Sequence, residues 1–444
     1  MRIRLSDHFT YGKLIRFTIP SIAMMIFTSI YGVVDGYFVS NFAGKTPFAA
    51  VNLIYPFIMI ISTVGFMFGT GGTAIVAKTL GEGDDEKANR YFSLFVYVAF
   101  GLSLVLAVAG FAFVRPIAIL LGAEGELIDN CVLYGRILLA ALPFLVLQLL
   151  FQSFFVAAEE PKLGFIVTVA SGVTNMVLDA VLVILLPQEF KLAGAAVATA
   201  ASQLVGGVVP LFYFFRKNDS LLRLGKTKLE IKPVLKACLN GSSEFMSNVS
   251  MSVVAMLYNV RLLEYAGENG VAAYGVLMYV SMIFAAAFIG YSVGTAPIIG
   301  YHYGADNRDE LKGILRKSLL MLGIFGVVMT LSAELLAVPL SKMFVGYDGA
   351  LMELTVSGFR IFGICFIFMG FAIFGSGFFT ALSDGLTSAL ISFLRTLVFQ
   401  IAAVLILPLI WGIDGIWISI VVAEVMAVIL TFVFLAVKRK KYGY

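Results

Sequence analysis

The stretch RKNDSLLRLGKTKLEIKP (216–233) is the longest polar run in an otherwise apolar chain, and it falls close to the midpoint of the 444 residues. Of the whole sequence 60% is hydrophobic and only 13% charged, with a mean hydropathy of +0.97. Soluble domains carry about 25% charged residues, so the composition belongs to a chain that lives in a bilayer. Apolar runs of roughly 20 residues or more, the length that crosses the hydrocarbon, recur on both sides of the connector. Twelve spans are expected, at 14–40, 47–79, 92–117, 128–157, 162–186, 192–215, 233–264, 271–300, 316–339, 350–381, 386–408 and 413–437. Six precede the connector and six follow it. The expected fold is an all-α integral membrane protein with two V-arranged six-helix lobes, 1–215 and 233–444, joined by a basic connector at 216–232.

Charge placement gives the orientation. Of the 28 Lys and Arg residues in loops and tails, 23 fall on the side that carries both termini and the 216–232 connector. Basic residues collect on the cytoplasmic side of membrane proteins, so both termini are expected in the cytoplasm and the protein in the cytoplasmic membrane. The net charge of +4 is sorted by side of the membrane instead of being gathered into a patch for nucleic acid. The first apolar run contains Pro20 and continues for a full span, unlike a cleaved signal. Cys131, Cys238 and Cys365 are far apart and carry no CxxC pattern, and His8 and His302 are the only histidines. No disulfide framework, histidine metal centre or cofactor is expected.

The two halves repeat. Ala43-Gly44 matches Ala266-Gly267, an offset of 223 (266 less 43), and GGTA (71–74) aligns with VGTA (293–296). The loop GEGDDEKANR (81–90) aligns with GADNRDELKG (304–313), YGRI (134–137) with GFRI (358–361), and QSFFVA (152–157) with GSGFFTA (375–381). With an even number of helices per half, the repeat is parallel, about an axis along the membrane normal. Such repeats suggest alternating access through a cavity between two lobes.

Within the fifth span, VTNMVLDAVLVILL (173–186) carries Asn175 and, one helical turn on, Asp179, so both lie on one face. A carboxylate at the centre of the hydrocarbon costs about 2.5–3.5 kcal/mol even on the most lenient scale, which demands a compensating interaction.

Several stretches resemble bacterial MATE (multidrug and toxic compound extrusion) transporters in the family's order: IPSIAMMIFTSIYGVVDGYFVS, AAVNLIYPF, GTGGTAIVAKTLGEGD, TNMVLD and GAAVATAASQ. The resemblance covers essentially the whole chain. It implies a secondary antiporter that exports organic cations or amphipathic drugs in exchange for Na+ or H+. By match to the family's motifs, the coupling site would comprise Asp35 on the first helix, Asn175 and Asp179 on the fifth and Thr199 on the sixth. Glu244 matches a seventh-helix glutamate used by some members. Their tenth-helix aspartate has no counterpart in the body of 350–381, which leaves that second site incomplete.

The residues themselves support the first-lobe cluster. Counted from the ends opposite the termini, Asp35, Asp179 and Thr199 lie about five to seven residues deep, roughly 8–11 Å, and Asn175 lies a turn deeper. Two carboxylates, an amide oxygen and a hydroxyl are hard ligands for a small cation such as Na+; alternatively, two close carboxylates share one proton. Asn175 and Thr199 read equally well as polar glue between helices. In the second half, Arg395 and Glu424 read as a structural ion pair on adjacent helices, leaving Glu244 as a substrate or proton site. Arg136 and Arg360 hold equivalent repeat positions, which suits a scaffold role. Pro20 removes a helical hydrogen bond and reads as a hinge or as a static kink. The 40 Phe and 17 Met residues include cavity-lining groups suited to varied apolar cations.

Other functions fit less well. GEGD (81–84) matches the G-x-G-D of intramembrane aspartyl proteases, but Asp84 sits in a charged loop on the opposite side from Asp35. No GxxxxGK[ST] stretch is present for ATP. A lipid-linked saccharide flippase of related fold would want a cationic cavity, whereas the intramembrane charges of the first half are mainly acidic. The expectation is a monomeric transporter, not an enzyme, whose partners are small molecules and the bilayer.

Overall fold

The computed structural model describes residues 3–444; Arg2, counted above among the basic residues, lies outside them. Six helices form the first half: α1 (Tyr11–Phe38, continued by a π turn Val39–Ala43), α2 (Lys45–Gly81), α3 (Asp85–Leu120), α4 (Glu126–Ala157), α5 (Pro161–Leu185) and α6 (Lys191–Phe215). A short α7 (Ile231–Asn240) leads into α8 (Ser242–Gly304), α9 (Arg308–Val345), α10 (Gly349–Gly363) and α11 (Phe366–Ala381). The chain ends with α12 (Gly385–Phe393), a π turn Leu394–Val398, α13 (Phe399–Ile406) and α14 (Pro408–Tyr442).

Helix α8 has 63 residues, about 95 Å at 1.5 Å per residue and three times the hydrocarbon thickness. Gly267, with φ +61° and ψ −152°, breaks it into two spans, 242–266 and 268–304. Helices α10 and α11 are one span bent by 50°, and α12 with α13 makes another through the π turn at Arg395. Counted this way, the described residues hold twelve spans.

The sequence repeat reappears in backbone geometry. Gly44 turns the chain between α1 and α2 at φ +110°, as Gly267 turns it between the two arms of α8. Only glycine adopts such angles without steric cost. At the same offset of 223, Gly83 and Asp306 both have positive φ. The next residue then caps a helix in each half: Asp84 accepts from the Lys87 amide at 3.0 Å and Asn307 from the Glu310 amide at 3.1 Å. Glu159 (φ +61°) and Ser383 (φ +60°) close the pattern before α5 and α12.

One apolar core draws on residues 39–237 and a second on 254–444, but Leu5, Phe9, Leu14 and Phe17 of the N-terminal segment belong to the second. Helix α1 therefore starts against the second half, while its far end packs on α5. Pro20 is buried at this crossover. There a Cβ on Gly290 of α8 would lie 2.5 Å from Ile22 Cα, so the two backbones touch.

The connector differs from its expected boundaries. The helix expected at 233–264 is two elements, because Gly241 interrupts it. Lys232 and Lys236 cannot sit in hydrocarbon, so the segment bearing them lies outside the spans as α7. The stretch before it is pinned along α3: Asn89 Oδ1 accepts from the Arg223 amide at 2.6 Å, and Tyr97 donates to Gly225 O at 3.0 Å.

Candidate functional site

Helices α1, α5 and α6 bring Asp35, Asn175, Asp179 and Thr199 together. Asn175 and Asp179, a turn apart on α5, are 1% and 0% exposed. Asn175 Nδ2 donates to Thr199 Oγ1 at 3.5 Å, and Thr199 Oγ1 reaches Asp35 Oδ1 at 3.4 Å. Both contacts are long for hydrogen bonds. The threonine hydroxyl also has its own helix carbonyl, Ala195 O, at 3.1 Å, so its single proton serves one acceptor at a time. Asp179 meets Asp35 across the gap between α5 and α1. Yet among the described residues both carboxylate oxygens of Asp179, and Oδ1 of Asn175, lack a donor.

That deficit defines the chemistry. A buried acceptor without a partner costs free energy, and a buried charge without one costs far more. Two facing carboxylates cannot satisfy each other unless a proton or a cation lies between them. The available set of two carboxylates, an amide oxygen and a hydroxyl suits a hard monovalent ion or a shared proton. Among the described residues no group of three or more His, Cys, Asp or Glu side chains is placed to hold a metal ion. Asp35 keeps partial exposure while Asp179 has none.

Further polar groups surround the pair. Gln148 Nε2 donates to Ser171 Oγ at 3.3 Å, and Ser171 Oγ donates to Ser202 O at 2.6 Å, tying α4, α5 and α6 together. Gln148 also meets Tyr31, one turn before Asp35 on α1. Tyr134 meets Thr199, and Gln203 Oε1 is buried without a partner among the described residues. Sequence reasoning missed Tyr31, Tyr134 and Gln148. Their signal was weak: a glutamine inside an apolar span, and tyrosines that read equally well as packing.

In the second half, Arg395 pairs with Glu424, which is 2% exposed. Nearby, Tyr258 donates to Gln400 Oε1 at 2.8 Å and stacks on Tyr274 with ring centroids 5.3 Å apart. The offset of 223 that carries Ala43 onto Ala266 also carries Asp35 onto Tyr258. The second lobe thus puts a phenol where the first has its carboxylate. Glu244, in the first turn of α8, stands apart from the Asp35–Asp179 pair, and its side chain makes no hydrogen bond or ion pair among the described residues. Arg136 stacks over Phe111 at 4.9 Å, and Arg360 lies 3.8 Å from Glu334 in a half-exposed pair.

The MatE family model matches residues 20–181 and 245–406, one segment in each half. The chain is similar to the multidrug export protein MepA of Staphylococcus aureus (strain MRSA252), with 23% identity over 418 residues, 93% of this chain and 91% of that one. MepA of Staphylococcus haemolyticus (strain JCSC1435) is 26% identical over 427 residues, covering 95% and 92%. A solved structure of a MATE protein in complex with MaL6 superposes with a TM-score of 0.93 at 22% identity, covering 98% of each chain.

Proposed function

Because the chain belongs to the MATE family of membrane transporters, we propose that it exports cationic or amphipathic compounds across the cytoplasmic membrane in exchange for Na+ or H+. The observation that carries this reading is the facing Asp35–Asp179 pair, with the unpartnered acceptors of buried Asp179 and Asn175. The export proteins named above are multidrug exporters, which supports the same substrate class here. The lobes would be 1–215 and 233–444, with both termini and the connector in the cytoplasm.

In this mechanism a Na+ ion or a proton entering from outside settles between Asp35 and Asp179 and supplies the missing partner. Thr199 and Asn175 complete its oxygen environment. Binding draws α1 toward α5, while the other end of α1 stays anchored in the second core through Leu14 and Phe17. Pro20 lies between these two attachments and acts as the hinge, since it leaves a turn without its full hydrogen bonding. Movement of α1 then changes the cavity between the lobes and expels the drug. Arg395 is neutralised by Glu424, so it supplies no free positive charge for a pyrophosphate group. Glu244 remains available to attract a cationic substrate.

Efflux from proteoliposomes, with a sodium gradient and a proton gradient imposed separately, tests the proposal. Uphill drug movement driven by one of them supports it; drug movement driven by neither would reject antiport.

A further inference from the structure

The short helix α7 takes no part in the chemistry above, yet its surface is organised in three arcs. Ile231, Leu235 and Leu239 recur every four residues and are 65%, 57% and 69% exposed, so one apolar stripe faces away from the protein. Lys232 and Lys236 run along one edge of that stripe and are also exposed. The remaining arc, Ala237 and Asn240, is buried. An exposed apolar stripe bordered by lysines is the pattern of a helix lying in a membrane interface.

The buried arc fixes where the stripe points. A Cβ on Gly71 of α2 would fall 2.2 Å from Ala237 O, and a Cβ on Gly241 would fall 2.1 Å from Met67 O. Asn240 Nδ2 donates to Thr380 O of α11 at 2.9 Å and lies 3.4 Å from Gly71 O. Helix α7 is thus held at backbone contact between a first-half and a second-half helix, at the end of the molecule that carries the termini. The apolar stripe lies on the side of the helix away from this buried arc and is exposed.

Charge selects the occupant. Burial and the neighbouring Lys78 pull the Lys236 ammonium below the usual lysine range, with Lys87 adding to this and only Glu82 opposing. Arg223, Lys226 and Lys228 lead into the helix. A cluster of ammonium groups beside an apolar stripe at the membrane surface calls for a ligand with an anionic head and an apolar tail.

We infer that α7 is an interfacial helix that binds anionic phospholipid, acyl chains against Ile231, Leu235 and Leu239 and headgroup on Lys232 and Lys236. The leaflet is the one on the connector side, cytoplasmic under the proposed orientation. Because the opposite arc touches both halves, bound lipid holds the clasp made by Asn240.

The test needs no transport measurement. Leu239→Trp places a reporter on the stripe, read against the unsubstituted protein, whose Trp411 and Trp417 set the baseline. Brominated phosphatidylglycerol should quench this tryptophan at lower lipid fraction than brominated phosphatidylcholine. Each lysine near an anionic surface is worth about a fivefold preference, so Lys232→Gln with Lys236→Gln should erase most of the difference while leaving some quenching by both lipids. Leu235→Trp repeats the measurement if position 239 rejects the larger ring. Equal quenching by the two lipids in the unmutated background, or none by either, would overturn the inference. Relief of quenching by millimolar glycerol phosphate would equally overturn it, by showing a soluble-anion site.

Discussion

Arg395 holds Glu424 with two nitrogens: Nε lies 3.0 and 2.9 Å from the two carboxylate oxygens, and Nη2 lies 2.8 Å from Oε1. Removing one member of a buried pair leaves the other uncompensated, at a cost of about 3–5 kcal/mol. Arg395→Ala should therefore lower the thermal midpoint in detergent sharply. Glu424→Gln in the same chain should restore part of the loss, because coupled residues are non-additive. Strictly additive losses would show that the two residues act separately.

A second prediction concerns Asp384, which caps α12 and gathers the end of the chain. It accepts from Tyr442 OH at 2.7 Å and from Lys438 Nζ at 3.2 Å. Burial pushes its carboxyl up, but donation from Tyr442, Thr387 and Lys438 outweighs this and holds it below the usual carboxylate range. A depressed value means that its stabilisation is complete above the unfolded value of about 3.9 and is lost as pH falls through the folded value. The thermal midpoint difference between wild type and Asp384→Ala should be constant from neutral pH to about pH 5 and shrink only below about pH 4. Loss of the cap and of charged hydrogen bonds should cost about 2 kcal/mol or more at neutral pH. A difference that already closes near pH 6 would contradict the assignment.

Orientation is tested by labelling. A cysteine at Lys226 in a cysteine-free chain should react with an impermeant maleimide only after cells are opened. The substitution is mild, because the side chain is exposed. Reaction in intact cells would invert the topology.

The glycine turns give a fourth expectation. Gly44 and Gly267 hold equivalent positions at positive φ, where a β-branched side chain is strained by about 1–3 kcal/mol. Gly44→Val and Gly267→Val should each lower stability measurably and by similar amounts. A neutral result at both positions would show that these turns adjust freely.

Much of this architecture was legible because hydropathy and glycine positions are local signals. Apolar length revealed the spans, and the Ala-Gly match at 43–44 and 266–267 marked glycine turns with positive φ in both halves. The break at Gly241 was not legible, since VLKACLNGSSEF reads as one amphipathic approach to a span until the backbone contacts of Gly71 and Gly241 are known. Bends within spans escaped for a similar reason: nothing local to Ile364-Cys365 demands the 50° turn between α10 and α11. In the candidate site, charged and amide groups stood out against apolar surroundings, so Asp35, Asn175 and Asp179, which the structure brings together, could be picked out as candidates. Tyr31 and Tyr134 could not, because a phenol packs in an apolar span as readily as it serves a polar one.

The most direct test of ion coupling replaces each carboxylate of the first-lobe pair. Asp35→Asn and Asp179→Asn keep side-chain volume and remove the charge, so the folded protein should persist with a near-normal thermal midpoint. In wild-type proteoliposomes drug affinity should fall as Na+ or H+ rises, since two ligands that oppose each other weaken one another by the same factor. In Asp35→Asn that dependence should vanish, and uphill drug efflux should fail in both variants. Uphill efflux at near wild-type rates in both would show that the pair does not couple the ion to the drug.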